Sequence, residues 1–168
     1  MDRSATNDRP ARARSRGRRA VPEQTRRVWF LGQPLEVKLK GEQTSGAYAV
    51  TEGIAAPGFG PAPHLHRREA EAIYVIEGEL RFTLDGQQID GPAGTVVHVP
   101  TGTLHSWINV SAKPAKLLTV YTPAGFEKLF EVLGEPIVDE QCGPTTQTDP
   151  ARLREAGEAF GLEIPERD

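Results

Sequence analysis

The sequence predicts an all-β barrel or sandwich followed by two helices, and three features point there. Between residues 28 and 121, short apolar or alternating runs recur with turn signals at fairly regular spacing. Asp85-Gly86 separates two of these runs, and a type I′ hairpin turn needs φ > 0 at both central residues, which this pair tolerates. After Tyr121 the apolar period changes from two to about 3.6, the mark of amphipathic helix.

The elements follow in order. Val28–Leu31 and Leu35–Leu39 read as strands, the second alternating as LEVKL. Gly46–Ala55 is a third, running into APGFGPAP, where the backbone must turn. His64–His66 begins the next strand, and Ala72–Ile76 is β-branched and aromatic. Glu79–Leu84 and Gln87–Ile89 flank the Asp-Gly turn. Thr95–Val99, Leu104–Val110 and Lys116–Tyr121 complete the strands. Phe126, Leu129, Phe130 and Leu133 then fall at i, i+3, i+4 and i+7, so 124–133 is read as a helix stopped by Gly134. Residues 135–148 read as loop. Asp149 caps a second helix over 150–160, with Pro150 in the first position and Gly161 as the stop.

The net charge of -3 hides an uneven distribution. Residues 1–27 carry nine arginines against Asp2, Asp8 and Glu23, a net of +6; the rest carries 11 Lys and Arg against 20 Asp and Glu, a net of -9. The N-terminal 27 residues lack apolar periodicity and are expected to be a disordered extension, with nucleic-acid contact not expected of them. No apolar run approaches the roughly 20 residues of a membrane span, and no apolar stretch follows the arginines as in a secretory signal, so a cytoplasmic protein without membrane contact is expected. Cys142 is the single cysteine and cannot form an internal disulfide; the single methionine is Met1, which leaves no thioether ligand in the body.

Three of the four histidines belong to one constellation. His64 and His66 lie one residue apart, so on a strand they face the same side. Glu71 follows them, and His105 lies in a second block. Imidazoles with a carboxylate make a mixed N/O set suited to a divalent first-row metal. His98, inside TVVHV, is read as facing outward. One other reading is open: these histidines are satisfied polar groups in a barrel, with no ion.

The two blocks resemble the paired motifs of the cupin superfamily. The first fits G-x5-H-x-H-x4-E-x6-G on Gly58, His64, His66, Glu71 and Gly78; the second fits G-x5-P-x-G-x2-H-x3-N on Gly94, Pro100, Gly102, His105 and Asn109. The resemblance covers residues 45–122 and implies a double-stranded β-helix, the cupin jelly-roll barrel, over 28–122, with a C-terminal helical extension over 123–168. It also implies that His64, His66, Glu71 and His105 are the ligands of one divalent transition metal: Ni, Mn, Fe or Co, or Zn as isolated. The chain is similar to small bacterial cupins of the quercetin 2,3-dioxygenase type in its HxHxxxxEAIYVIEGELRF stretch and its C-terminal helices. That similarity implies a dioxygenase acting with O₂ on a flavonol-like substrate, with Glu71 also the base for its hydroxyl proton, and a homodimer. A metal-dependent isomerase or cyclase of a polyketide- or sugar-like molecule, and a non-enzymatic small-molecule binder, are the alternatives. Strand parity adds pocket walls: Ile73 and Val75 on the face of Glu71, and Trp107 on that of His105. The helix bearing Phe126 is expected to pack on the sheet. Asn109 and the motif glycines are read as shaping backbone.

Overall fold

In a computed structural model of the protein, the described residues are 26–139, 143–144 and 149–165. The arginine-rich segment lies outside them save for Arg26 and Arg27, as does Cys142. The strands are β1 Arg26–Phe30, β2 Gln33–Leu39, β3 Ala49–Ala55, β4 Leu65–His66, β5 Ala70–Glu77, β6 Glu79–Leu84, β7 Gln87–Pro92, β8 Val96–Val99, β9 His105–Asn109, β10 Ala115–Thr122, β11 Glu135–Pro136 and β12 Leu162–Glu163. The helices are α1 Glu127–Leu133 and α2 Pro150–Ala159. No helix of the described residues is long and apolar enough to cross a membrane.

All pairings are antiparallel. Seven strands form one sheet in the order β11-β1-β2-β3-β10-β5-β8, facing a three-stranded sheet β7-β6-β9; β12 and β4 make a separate pair. This is a double-stranded β-helix with two helices after it. Inward rows set by the period of two fill the space between the sheets. From β3, β5, β8 and β10 come Ala55, Ile73, Val75, Val97, Val99, Ala115 and Leu117, and from β6 come Leu80 and Phe82, all buried. His98 lies on the opposite face of β8 and is exposed.

Turns at positive φ join strands both within one sheet and across the two. Asp85 and Gly86 have φ of 45° and 84°, the type I′ turn the sequence predicts. Gly78, between β5 and β6, has φ 82°, and a Cβ there would stand 2.8 Å from Ala115 Cβ. Asn109 is 1% exposed and ties three backbone segments: its Nδ2 donates to the carbonyls of Ala55 and Lys113, both at 2.9 Å, and its Oδ1 accepts from Ser111 N–H at 2.9 Å.

A second core lies between the seven-stranded sheet and the helices. It contains Val28, Val37, Tyr121, Phe126, Leu129, Phe130 and Leu162. Helix α1 is shorter than the sequence predicts, starting at Glu127. Its first residue is a buried acid that accepts N–H bonds from Gly41 at 2.9 Å and Gly125 at 2.6 Å, so donors replace the water it loses. Asp149 caps α2, accepting from Ala151 N–H at 2.9 Å. Two short pairings revise the sequence reading. Glu135–Pro136, read as loop, pairs with β1, and Leu162–Glu163, beyond the second helix, pairs with β4. Runs of two residues carry no period and leave no mark in the sequence.

Candidate metal centre

The loop before His64 is pinned to β9 by backbone. Gly58 N–H donates to Asn109 O and Asn109 N–H to Phe59 O, each at 2.9 Å. Four residues on, His64 and His105 exchange both backbone bonds, at 2.9 and 2.8 Å. Pro61 and Pro63 in between have no N–H to offer. Gly60 is the point of closest approach: a Cβ there would lie 1.8 Å from the carbonyl oxygen of Trp107. The Gly/Pro-rich composition therefore presses an irregular segment against a strand and delivers His64 beside His105.

The other two side chains come from regular strands. His66 ends the two-residue β4, and Glu71 sits on the inner face of β5, opposite Tyr121 of β10 and Val99 of β8. His66, Glu71 and His105 are 2%, 4% and 2% exposed, while His64 is half-buried. One ligand atom from each of His64, His66, Glu71 and His105 falls within 4.8 Å of the others. Two donors on opposite sides of one ion with bonds of about 2.1 Å lie roughly 4.2 Å apart, so the cluster has the span of a single coordination sphere.

The hydrogen bonding also fits an ion. His64 Nδ1 contacts Ala62 O at 2.8 Å and His105 Nδ1 contacts Thr103 O at 3.0 Å. A protonated Nδ1 so held leaves Nε2 as a lone pair, the tautomer and orientation that ligation needs. Both ring nitrogens of His66 and Nε2 of His105 are buried and make no hydrogen bond. His66 Nε2 does stand 2.7 Å from Glu71 Oε1, and His105 Nε2 3.5 Å from Glu71 Oε2. These contacts are close but not aligned along an N–H, which is the arrangement of donors converging on a common point. Three buried nitrogens without partners are costly in a satisfied core. The cluster could hold a metal ion.

The protonation states agree. Burial, with the neighbouring His105, lowers the His64 pKa to about 4, so it is neutral near pH 7. Burial alone would raise the Glu71 pKa, but the His105 and His66 imidazoles outweigh it and hold the carboxylate below its usual range. His105 is raised: burial opposes this, and Glu71 overcomes it.

The cluster opens into a cavity of about 150 Å³, where one buried water needs only about 10–15 Å³. Its floor is His64, His66 and Glu71. Phe59 and Trp107 form one wall, edge to face at 6.0 Å between ring centroids. Phe30, Leu31 and Leu35 of the first hairpin form another, and Phe126, Leu129, Phe130, Leu153, Leu162 and Ile164 close it from the C-terminal side. Helix α1 thus both packs on the sheet and walls the cavity. Trp107 stands where parity places it. Ile73 and Val75 do not line the cavity; they lie deeper, in the dry core. Parity fixes a face but not a depth along the barrel. Sequence reasoning missed Thr51, Thr119 and Tyr121, which also line the cavity. Alternation in KLLTVYT puts Leu117, Thr119 and Tyr121 on one face and could have found two of them.

Comparison with known proteins agrees with this architecture. Residues 52–121 match the cupin domain family. Quercetin 2,3-dioxygenase of Bacillus subtilis (strain 168) is 32% identical over 95 residues, 56% of this chain and 28% of that enzyme. The chain therefore spans less than a third of that relative's length. Among solved structures, KdgF from Halomonas sp. superposes with a TM-score of 0.58 at 15% identity, over 67% of this chain and 99% of its own. The polyketide cyclase RemF from Streptomyces resistomycificus does so with a TM-score of 0.53 at 20% identity, over 64% of this chain and 80% of its own. At those identities the likeness is one of fold. The paired motifs, the double-stranded β-helix and the domain match agree that residues 52–121 are a cupin domain.

Proposed function

We propose that the protein is a metal-dependent dioxygenase that opens a flat, apolar substrate carrying an acidic enol or aromatic hydroxyl, with His64, His66, Glu71 and His105 as ligands. The observation that carries this reading is the cavity wall. Aromatic and aliphatic side chains surround the cluster, and no Lys or Arg lines the cavity among the described residues. A phosphorylated sugar or a small dicarboxylate would have any charge that does not reach the ion desolvated there without a Lys or Arg partner, at a cost of several kcal/mol. A ring system with one ionisable hydroxyl meets no such penalty. The similarity to a quercetin 2,3-dioxygenase supports the same choice.

A divalent transition ion at the cluster supplies Lewis acidity that lowers the pKa of a coordinated hydroxyl, and open positions for substrate and O₂. The chain's own residues do the rest. The Phe59–Trp107 pair and the Phe126–Phe130 side hold the ring plane and exclude water, which strengthens every charge interaction at the floor. Glu71, anionic and fixed between two imidazoles, is the base within reach of the hydroxyl proton. His64 stays neutral at working pH and does not compete for that proton.

The test is an oxygen electrode. Protein reconstituted in turn with Ni, Mn, Fe and Co is mixed with a flavonol, and O₂ uptake should match bleaching of the substrate. No uptake with any of the four ions rejects the reaction. The same apolar walls also suit a flat polyketide, so a metal-dependent cyclase or isomerase is the second reading; product formation at equal rates with and without air would favour it. Stoichiometric binding without product would favour a plain binder.

A further inference from the structure

The cavity has one polar strip that metal ligation does not use. Thr51 of β3 and Thr119 of β10 are direct cross-strand partners, and Tyr121 lies two residues further along the same face of β10. The three are 3%, 6% and 7% exposed, and all line the cavity beside the cluster. The three residues form a polar strip along one face of the β3–β10 pair. The Tyr121 ring is fixed against Phe126, with centroids 5.1 Å apart, and lies 6.0 Å from the His66 ring. Tyr121 is also the register partner of Glu71. Sixteen of the cavity's side chains are apolar even before Tyr121 is counted, so hydroxyls are conspicuous here. Packing alone would be served as well by Val, Val and Phe, without the cost of burying three hydroxyls.

Resting on the reading that the cluster takes the substrate's first oxygen, we propose that Tyr121, with Thr51 and Thr119 beside it on the same polar strip, selects substrates carrying a second, hydrogen-bond-accepting oxygen. A tyrosine hydroxyl is a hydrogen-bond donor as well as an acceptor, so it can meet such an oxygen. A ligand with a carbonyl or ether oxygen on its ring system satisfies the strip; one with a bare hydrocarbon edge leaves it unpaired. Discrimination of this kind is strong because the penalty falls on a buried polar group.

The test is equilibrium binding to zinc-loaded protein under nitrogen, since Zn is redox-inert and holds turnover at zero. The probes are 3-hydroxyflavone, with an enol and a carbonyl oxygen, and 2-naphthol, with one oxygen. Tyr121→Phe should weaken 3-hydroxyflavone about three- to tenfold, the worth of one net hydrogen bond, and leave 2-naphthol no weaker, because the hydroxyl it left unpaired is gone. Thr51→Val, which keeps the shape, should give a smaller loss in the same direction. Zinc content should be unchanged in both variants. Equal affinity of wild type and both variants for 3-hydroxyflavone overturns the proposal, as does an equal loss for both probes. A wild type that holds zinc but binds neither probe overturns the substrate reading and this proposal with it; a wild type that holds no zinc overturns the ligand assignment instead.

Discussion

The two ends of the barrel interior are built from the same strands and could hardly differ more. On β10 the inward row runs Ala115, Leu117, Thr119, Tyr121; on β5 it runs Val75, Ile73, Glu71; on β9 it runs Asn109, Trp107, His105. Each row starts in hydrocarbon or a fully bonded Asn and ends in a group that can donate, accept or ligate. The dry end buries Phe82, Leu80, Val75 and Ile73 to 1% exposure or less and supplies the folding energy. The other end spends some of it, keeping ring nitrogens of His66 and His105 away from water without ordinary hydrogen bonds. A rigid, well-packed half is what lets the same strands hold four ligand atoms in a fixed cluster.

That division can be broken most forcefully at the dry end. Phe82→Ala removes a fully buried ring and should cost about 3–5 kcal/mol in urea unfolding, while the metal held per folded molecule stays the same. If metal is lost in proportion, the two ends are not separable. The converse substitution, His105→Ala, should lower metal affinity about a hundredfold or more, read by competitive chelator titration, with His64→Ala behaving alike. Unchanged metal content in both variants removes the ligand assignment.

Acid sharpens the contrast, because only the ligand end titrates. His64 is held down to about 4 in the fold, against 6.5 unperturbed. Between those values the unfolded chain binds a proton that the folded chain refuses, so stability falls as pH falls through that window. The loss should be on the order of 2 kcal/mol after allowance for solvent in the cavity. Glu71, also held low, adds loss in the same direction in stronger acid. His105 acts oppositely: its contribution is complete below pH 6.5 and fades as pH rises through its raised value. Urea titrations of metal-stripped protein at pH 7 and 4.5 measure the balance, and His64→Leu should flatten it. A His64→Leu profile identical to that of the wild type would contradict the burial of His64. The smallest effect is expected outside the barrel: Asp149→Ala, which removes the cap of α2, should cost about 1 kcal/mol in thermal unfolding.

Much of this was legible because local chemistry dictated it. Strand parity, the Asp85-Gly86 turn and the Asp149 cap are each written in a few adjacent residues. The four clustered side chains were named by motif spacing, and the bond pattern of Gly58, Phe59 and Asn109 shows why the spacing is needed. The rest depends on depth and on distant pairing. Nothing in VWFLGQPL tells that Phe30 and Leu35 wall a cavity shared with Phe126. Ile73 has the same parity as Glu71 yet belongs to the other end. Leu162 pairs with His66 across 96 positions of sequence, through two residues with no pattern to read.

That last pairing reaches beyond architecture. His66 stands on a strand of two residues whose partner strand is Leu162–Glu163, with Arg67 N–H donating to Gly161 O at 2.8 Å and Arg67 paired with Glu163. The C-terminal segment is thus the outer clamp of a side chain in the candidate metal cluster. Occupancy and docking of that segment must then be linked reciprocally, each favouring the other by the same free energy. A protease that clips between α1 and α2 would act on the molecule as a chelator does, and a bound ion would slow the clipping. The metal content of a preparation would in that case be a measure of how many of its chains still have their ends in place.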